Sequence, residues 1–303
     1  MHLIGHKKQI KFLRNAISGN RMPQALLFLG EENLGKKKVA FEFVKMLFCS
    51  GPTNVQKPCG VCQACLLVEE AKHPDFIFIA PQARDIQISQ IRNLQKALSL
   101  RPVMGKVKAI VIDDAHCLNI QAQNCFLKTL EEPQGQAVFI LISSMPDVLL
   151  PTIKSRCEAV KFYPLTKENI EKANFPNKIL DYSQGRPGIA FSLETGKTNF
   201  LKFQESMQIA KNFLVKDLLF RMLFIKDFFP KDSNGKREES LALLESMLWL
   251  LRSALWQRAS GEIKPSALLK TKNAIELTQE AKIMLQTTNV SPRLLLENLV
   301  LQF

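Results

Sequence analysis

A glycine-containing stretch stands between an apolar run and a segment of helical spacing, in the order that phosphate-binding loops require. Its sequence is Gly30-Glu31-Glu32-Asn33-Leu34-Gly35-Lys36-Lys37. In the pattern G-x-x-x-x-G-K-[ST], the glycines let backbone N–H groups wrap a phosphate, the lysine reaches the outer phosphates, and the final hydroxyl coordinates Mg²⁺. The apolar run at 25–29 and the helical spacing at 36–48 therefore predict a strand, a phosphate loop and a helix.

The last position of that loop departs from the pattern. Lys37 stands where Ser or Thr belongs, and an ammonium group cannot ligate Mg²⁺ and repels it. Glu31 and Glu32 also bring negative charge into the loop unless they point to solvent. We therefore expect a phosphate-loop architecture with little competence for Mg²⁺-dependent hydrolysis. The alternative, a plain glycine turn between strand and helix, is disfavoured by the strand–loop–helix setting.

Two adjacent acids, Asp113 and Asp114, close a third apolar run. In phosphate-loop proteins the first acid at such a strand end supports Mg²⁺, and a glutamate after it polarises the attacking water. Asp114 is one methylene shorter than that glutamate, and such a displacement can cost about 10²-fold in rate. The alternative is a strand end with solvated acids. His116 follows closely, and we expect it to serve packing or the surface and not as a catalytic base.

Four cysteines crowd into one short segment with the spacing C-x₉-C-x₂-C-x₂-C: Cys49, Cys59, Cys62 and Cys65. Four thiolates close a tetrahedral Zn²⁺ site and leave no position for a substrate, so the sequence predicts a structural zinc ion. Free reduced thiols are the alternative. His73 lies nearby but is not needed as a ligand. The remaining cysteines are isolated and are expected to fill apolar space: Cys117, Cys125 and Cys157.

Composition sets the class of protein. The chain has 303 residues, of which 46% are hydrophobic and 23% charged, which indicates two or three globular domains and excludes a disordered or fibrous chain. The net charge of +13 suits an anionic partner such as nucleic acid or nucleotide. We expect no transmembrane helix and no signal peptide, so the expected location is the cytoplasm. In a cytoplasmic chain, clustered cysteines indicate metal or redox chemistry.

The elements that would position these residues alternate along the first half of the chain. Apolar runs predict strands at 25–29, 76–79, 107–112, 138–142 and 159–162, and helical spacing predicts helices at 9–17, 36–48, 88–98 and 121–130. Strands separated by helices indicate an α/β fold with a parallel sheet.

The composition changes after the last predicted strand. Short helical stretches follow, and from about residue 200 only helical periodicity remains, with breaks at 230–235, 261–265 and 289–292. We therefore divide the chain into an α/β domain at 1–163 with a cysteine insertion at 49–65, a small helical domain at 164–197, and an all-helical domain at 198–303.

Taken together, these motifs resemble the AAA+ clamp-loader subunits of bacterial DNA polymerase III, and within that family the delta prime branch is most similar. The likeness extends over nearly the full chain. The segments that carry the likeness are residues 4–6, 22–27, the cysteine insertion together with 73–75, 124–133, 155–157, 185–188 and 291–297. The string Leu-Lys-Thr-Leu-Glu-Glu-Pro at 127–133 and the tripeptide Ser-Arg-Cys at 155–157 are the most specific of them.

The resemblance implies a function and an architecture. It implies a pentameric ring, assembled with tau/gamma ATPase subunits and delta, that opens a sliding clamp and places it on primed DNA. It makes the small helical domain a lid and the C-terminal helices a collar for oligomerisation. A wide apolar face on those helices would serve the core and in part a subunit interface: Phe213, Leu214, Leu218, Leu219, Leu223 and Phe224.

The resemblance also implies roles for single residues. Arg156 of the Ser-Arg-Cys tripeptide corresponds to the arginine finger that enters the ATP site of the neighbouring subunit, where a guanidinium can raise the rate about 10³–10⁵-fold. Without the flanking motifs, a surface ion pair would be the preferred interpretation of this arginine. Ser144 stands where the family's motor subunits place a polar residue near the γ-phosphate, and Arg186 matches the family's second sensor region.

The resemblance implies a degenerate ATP site, which is general in the delta prime branch. Lys37 and Asp114 agree with this expectation. Because Gly30, Gly35 and Lys36 are retained, binding of ATP without turnover stays open, as does Mg²⁺ in this site. We therefore expect a largely non-hydrolysing subunit with no independent catalysis.

Two other functions remain as alternatives. One is an active ATPase motor subunit of the same loader, similar to tau/gamma, which would need Ser or Thr at position 37. The other is an independent zinc-containing nucleic-acid-binding module, against which the small number of stacking aromatics, 2 Trp and 2 Tyr, counts.

Overall fold

The structure is a computed structural model that describes residues 3–19, 22–52, 57–82, 84–132, 135–171, 175–196, 200–229, 236–259 and 265–302. The chain divides into two compact units, Met1–Phe191 and Ser192–Phe303. The division into three domains at about residues 163 and 197 stays a prediction.

The first unit is built on one sheet of five parallel strands in the order β2-β3-β4-β1-β5. The strands are β1 Ala25–Leu29, β2 Phe76–Ile79, β3 Lys108–Ile112, β4 Ala137–Ser143 and β5 Glu158–Lys161. The predicted parallel α/β sheet is thus confirmed, with every strand end within one residue of its predicted position. The central strands β3 and β4 are buried along their whole length, as expected when helices cover both faces of a parallel sheet.

In the parts of this unit that the structure describes, nine α-helices begin: α1 Lys7–Ser18, α2 Lys36–Phe48, α3 Gln63–Glu69, α4 Ile88–Leu98, α5 Ile120–Glu131, α6 Pro151–Lys154, α7 Lys167–Glu171, α8 Asn177–Ser183 and α9 Pro187–Glu194. The local sequence explains where two of these helices begin. The side chain of Asn119 accepts a hydrogen bond from the Ala122 N–H at the start of α5, and Gln87 and Gln90 form a capping box at α4.

Two apolar clusters pack on the sheet. One includes Phe126 of α5, Ile91 of α4 and Ile110 of β3, all fully buried. The other includes Phe43 of α2 and Val111 of β3. Neighbouring residues of β3 therefore belong to different clusters, because successive side chains of a strand point to opposite faces of the sheet.

The parallel sheet has two chemically distinct edges. The segments that follow β1, β3 and β4 leave the sheet at its carboxyl edge, where ligands of open α/β sheets bind. The turn before β5 enters at the opposite, amino edge. In the β1–β5 pair, Leu26 lies beside Glu158 and Leu29 beside Lys161.

The second unit is helical: α10 Phe200–Val215, α11 Leu218–Phe228, α12 Arg237–Ala259, α13 Pro265–Thr287 and α14 Pro292–Gln302. Its core contains Phe213, Ile225, Leu244, Leu285 and Leu296. The predicted break at 289–292 is confirmed, since α14 begins at Pro292. The break predicted at 230–235 lies outside the described residues, and so does the break predicted at 261–265 apart from Pro265, where α13 begins. In the described parts of the chain, no helix is long and apolar enough to cross a membrane.

The apolar face predicted on these helices is only partly a core face. Phe213 is buried, and Leu214 and Phe224 pack partly buried against the same core. Its other three leucines, all on α11, are at least half exposed: Leu218, Leu219 and Leu223.

Candidate functional site

The loop after β1 has the backbone shape that its glycines permit. Gly30 and Gly35 have φ angles of +147° and +89°, in the region that favours glycine. A Cβ atom on Gly30 would lie 2.5 Å from the carbonyl oxygen of Phe162, so only glycine fits there. Gly35 directly precedes α2, which places the N-terminus of that helix against the loop.

Lys36 lies buried inside this loop. Its Nζ donates hydrogen bonds to the carbonyl oxygens of Gly30 and Glu31, both at 2.5 Å. Burial lowers the pKa of Lys36 to about 8, against the opposing effect of carboxylates led by Glu32 and Asp114. The loop lysine is thus held by the loop's own backbone.

Lys37, in the first turn of α2, reaches the end of β3. Its Nζ lies 3.1 Å from Oδ2 of Asp113 and 4.4 Å from the centre of the Phe78 ring. In a hydrolytic loop, a hydroxyl at position 37 and the aspartate would share a divalent cation. Here an ammonium group already pairs with that aspartate, so these residues do not fit Mg²⁺.

The other residues predicted for this pocket follow β3 and β4 at the same edge. Burial raises the pKa of Asp114 to about 6, and the negative charges of Asp113 and Glu32 add to that rise. The Ser144 hydroxyl is buried, and it neither donates nor accepts a hydrogen bond among the residues that the structure describes. His116 is buried, in agreement with a packing role.

Arg186 joins the pocket through the loop. Its Nη1 lies 3.8 Å from Oε2 of Glu31. Two residues later, the backbone N–H of Gly188 donates to the carbonyl of Asn33 at 2.8 Å, and a Cβ on Gly188 would lie 2.8 Å from that oxygen. The start of α9 therefore lies against the loop, an approach that spacing along the sequence does not reveal.

Arg156 lies apart from this pocket. Arg156 lies in the turn before β5, and the first residue of β5, Glu158, pairs with Leu26, four residues before Gly30. At roughly 3.3 Å per residue, the start of β5 is about 13 Å of extended strand from the loop. The Arg156 side chain is 38% exposed and contacts Glu131, with Nη2 2.5 Å from Oε1. Arg156 therefore lies near the amino edge of the sheet, away from the chain's own loop.

The four clustered cysteines converge. The sulfur atoms of Cys49, Cys59, Cys62 and Cys65 all lie within 4.8 Å of one another, and all four are free thiols. The backbone N–H groups of Cys59 and Cys62 donate to the sulfurs of Cys49 and Cys59, both at 3.4 Å. The N–H groups of Val61 and Cys62 lower the pKa of Cys59. Four sulfurs at this spacing fit a tetrahedral ion such as Zn²⁺.

The isolated cysteines behave as predicted. All three are partly buried and pack against the apolar cluster of α4 and α5: Cys117, Cys125 and Cys157.

Sequence reasoning missed a support beside the cysteines. The ring of His73 stacks on Phe48, with ring centres 4.3 Å apart. Asp75 is buried, and its carboxylate accepts hydrogen bonds of 2.6–2.8 Å from the backbone N–H groups of Val103, Met104 and Gly105. The His-Pro-Asp string after the cysteines was the available signal, but its partners lie about 30 residues away.

The fold and both sites define a phosphate-loop α/β protein of the AAA+ class with added helices. Residues 5–166 match the family model described as DNA polymerase III, delta subunit. Because the match covers more than half of the 303 residues, the chain belongs to this family, and the likeness inferred from its motifs is confirmed.

Individual relatives agree with this membership. The chain is 29% identical to the DNA polymerase III subunit delta′ of Bacillus subtilis, over 96% of this chain and 94% of that protein. It is 37% identical to the subunit delta′ of Pseudomonas aeruginosa, over 44% of this chain and 41% of that protein. The second match thus spans less than half of the relative's length.

A solved structure supports the fold. The DNA polymerase III gamma subunit-related protein of Thermotoga maritima superposes with a TM-score of 0.52 at 19% identity, over 97% of this chain and 98% of that one. At this identity the likeness concerns the fold alone. It supports the predicted arrangement of a parallel α/β sheet followed by helices.

Proposed function

We propose that this chain is a clamp-loader subunit of the delta prime type, which supplies Arg156 as an arginine finger to the ATP site of a neighbouring subunit. The neighbours would be tau/gamma ATPase subunits and delta in a pentameric ring in the cytoplasm. The ring would load a sliding clamp onto primed DNA during replication.

The position of Arg156 carries this proposal. Arg156 is partly exposed in the turn before β5, and the start of β5 lies about 13 Å from the chain's own loop by the spacing of extended strand. An arginine side chain cannot span that distance to its own pocket, whereas an exposed guanidinium near an edge can enter the pocket of another chain. A guanidinium offers a planar set of N–H donors that matches phosphate oxygens.

The chain's own pocket supports the non-hydrolysing half of the proposal. The ammonium group of Lys37 forms an ion pair with Asp113, and that of Lys36 donates hydrogen bonds to carbonyl oxygens of the loop. Gly30, Gly35, Asp114, Ser144 and Arg186 complete a degenerate nucleotide site. This pocket would bind nucleotide weakly or without turnover.

We further propose that Cys49, Cys59, Cys62 and Cys65 hold a structural Zn²⁺. The ion would tie the end of α2, where Cys49 follows Phe48, to α3, which contains Cys65. Metal analysis of protein purified under reducing, chelator-free conditions should find one zinc per chain. Protein that contains no zinc would disprove this assignment.

We also retain the domain assignment as a proposal. The AAA+ domain would cover 1–163, the lid 164–197 and the collar 198–303. Leu218, Leu219 and Leu223, which are at least half exposed on α11, would then contribute to contacts with neighbouring collars.

The direct test is Arg156→Ala in a reconstituted loader. The variant should assemble normally but lose most clamp loading, because charge on the transferring phosphate is no longer stabilised. Normal clamp loading by this variant would refute the finger assignment. Hydrolysis of ATP by the isolated wild-type chain at tens of turnovers per second, a motor's rate, would refute the non-hydrolysing role.

A further inference from the structure

The backbone that carries Arg156 is fixed from inside the protein. Arg156 follows α6, and its N–H donates to the carbonyl of Ile153, which is fully buried. The chain before α6 is fixed by Gln123 of α5, whose amide is buried. Its Oε1 accepts from the Leu150 N–H at 2.8 Å, and its Nε2 donates to the Leu118 and Val148 carbonyls.

The direction of the guanidinium is set by two further contacts. Nη1 donates to the carbonyl of Thr152 at 3.0 Å, and Nη2 donates to Oε1 of Glu131 at 2.5 Å. Glu131 is the last residue of α5, where the negative end of the helix dipole also favours a cation. A backbone carbonyl on one side and a carboxylate on the other thus hold a long side chain that would otherwise rotate freely.

We propose that Glu131 is a positioning residue for the arginine finger and holds the Arg156 guanidinium ready for the phosphate of the neighbouring subunit. This inference rests on the proposed function of Arg156. It adds a second residue to that function, at the other end of an ion pair that spans 25 positions of the sequence.

The contact geometry fits positioning and not sequestration. A guanidinium has five N–H donors, and Arg156 uses one on each terminal nitrogen among the residues that the structure describes. The Glu131 carboxylate does not form a bidentate ion pair, which would occupy two N–H donors on one edge of the guanidinium. Three donors, including Nε–H, are left for phosphate oxygens.

The test compares Glu131→Ala and Glu131→Gln in a reconstituted loader whose other ATPase sites are inactivated. Glu131→Ala should lower kcat at the neighbouring site about fivefold and leave the KM for ATP unchanged, since exposed ion pairs have modest energies. Glu131→Gln keeps the acceptor oxygen without the charge, so its kcat should stay within about twofold of wild type.

Glu132→Ala is the matched control, because it removes the same charge from the next position and Glu132 is exposed. It should leave kcat unchanged. A rise in kcat for Glu131→Ala would mean that Glu131 sequesters the finger and would overturn the proposal. An equal loss in both alanine variants, or no rescue by glutamine, would also overturn it, since a general charge effect would then explain the loss.

A double variant separates this inference from the proposed function. In an Arg156→Ala background, Glu131→Ala should cause no further loss, because the two residues act through one guanidinium. If Glu131→Ala still lowers kcat in that background, the positioning role is wrong and the finger stands. If Arg156→Ala alone has no effect, the finger itself is wrong.

Discussion

The cationic side chains that we propose for phosphate contacts lie near two edges of one sheet. At the carboxyl edge, Lys36, Lys37 and Arg186 contact the chain's own carbonyls and carboxylates. Near the amino edge, Arg156 is partly exposed and contacts one carbonyl and one carboxylate. Both sets have partners within the chain, and they differ in position, since the first lies at the loop after β1 and the second in the turn before β5.

The difference separates two functions that a motor subunit combines. A subunit can lose the chemistry of its own pocket and still keep the group that a neighbour needs, because the two sites share a fold but few contacts. Lys37 illustrates the first site, since its ammonium group stands at the position of the pattern's hydroxyl and pairs with Asp113.

Apart from complete removal of the guanidinium by Arg156→Ala, the largest effect is expected for Arg156→Lys, which keeps the positive charge but removes the planar guanidinium group. We expect at least about a 100-fold loss of hydrolysis at the neighbouring site, because an ammonium cannot contact several phosphate oxygens in the same geometry. Single-turnover hydrolysis in the reconstituted loader measures it. A near-native rate would show that charge alone suffices.

The next largest effect is expected for Gln123, which fixes the backbone before Arg156. Gln123→Leu removes the buried amide and leaves the Leu150 N–H and two carbonyls without their partner. We expect a loss of about 2–3 kcal/mol in the free energy of unfolding, measured by urea denaturation. Gln121→Leu, in the exposed first turn of α5, is the control and should change stability by less than about 0.5 kcal/mol. Equal losses would contradict the role of Gln123.

A smaller effect is expected in the chain's own pocket. Lys37→Thr restores the hydroxyl and releases Asp113, so Mg²⁺ should tighten nucleotide binding by about tenfold in this variant. In the native chain, Mg²⁺ should not tighten it. Calorimetry with ADP, with and without Mg²⁺, makes the comparison. Tightening by Mg²⁺ in the native protein would contradict the pairing of Lys37 with Asp113.

The smallest effect is a pH dependence from Lys36. Its pKa is lowered from 10.5 to about 8 by burial, so above pH 8 the folded chain loses a proton that the unfolded chain retains. Stability attributable to Lys36 should therefore rise with pH, by about 1 kcal/mol between pH 8 and pH 9. Urea unfolding of wild type and Lys36→Met measures the difference. Identical pH profiles would contradict the lowered pKa.

The sheet and the cysteine site were predictable because their signals are local. Buried strands such as Ala25–Leu29 and Ala137–Ser143 are continuous apolar runs, and the parallel arrangement follows from the helices between them. The cysteines are separated by few residues, so their spacing alone brings the sulfurs together. Gly30 and Gly35 likewise predict a loop from backbone freedom.

The contacts on which the proposed function depends were not predictable in the same way. The Lys37–Asp113 pair joins residues 76 positions apart, and Glu131 reaches Arg156 across 25 positions. Neither pair follows a helical or strand period, because the tertiary fold and not the local spacing brings the residues together. The motif showed that position 37 lacks a hydroxyl, but only the fold shows which carboxylate its ammonium group contacts.

The central claim is that this chain serves a neighbour's pocket and not its own, and one paired measurement tests it. Loaders assembled with Lys36→Ala or with Arg156→Ala are compared for ATP hydrolysis at the site next to Arg156. The account predicts a rate within about twofold of the unmodified loader for Lys36→Ala and a loss of at least about 10³-fold for Arg156→Ala. Loss with Lys36→Ala and retention with Arg156→Ala would contradict it.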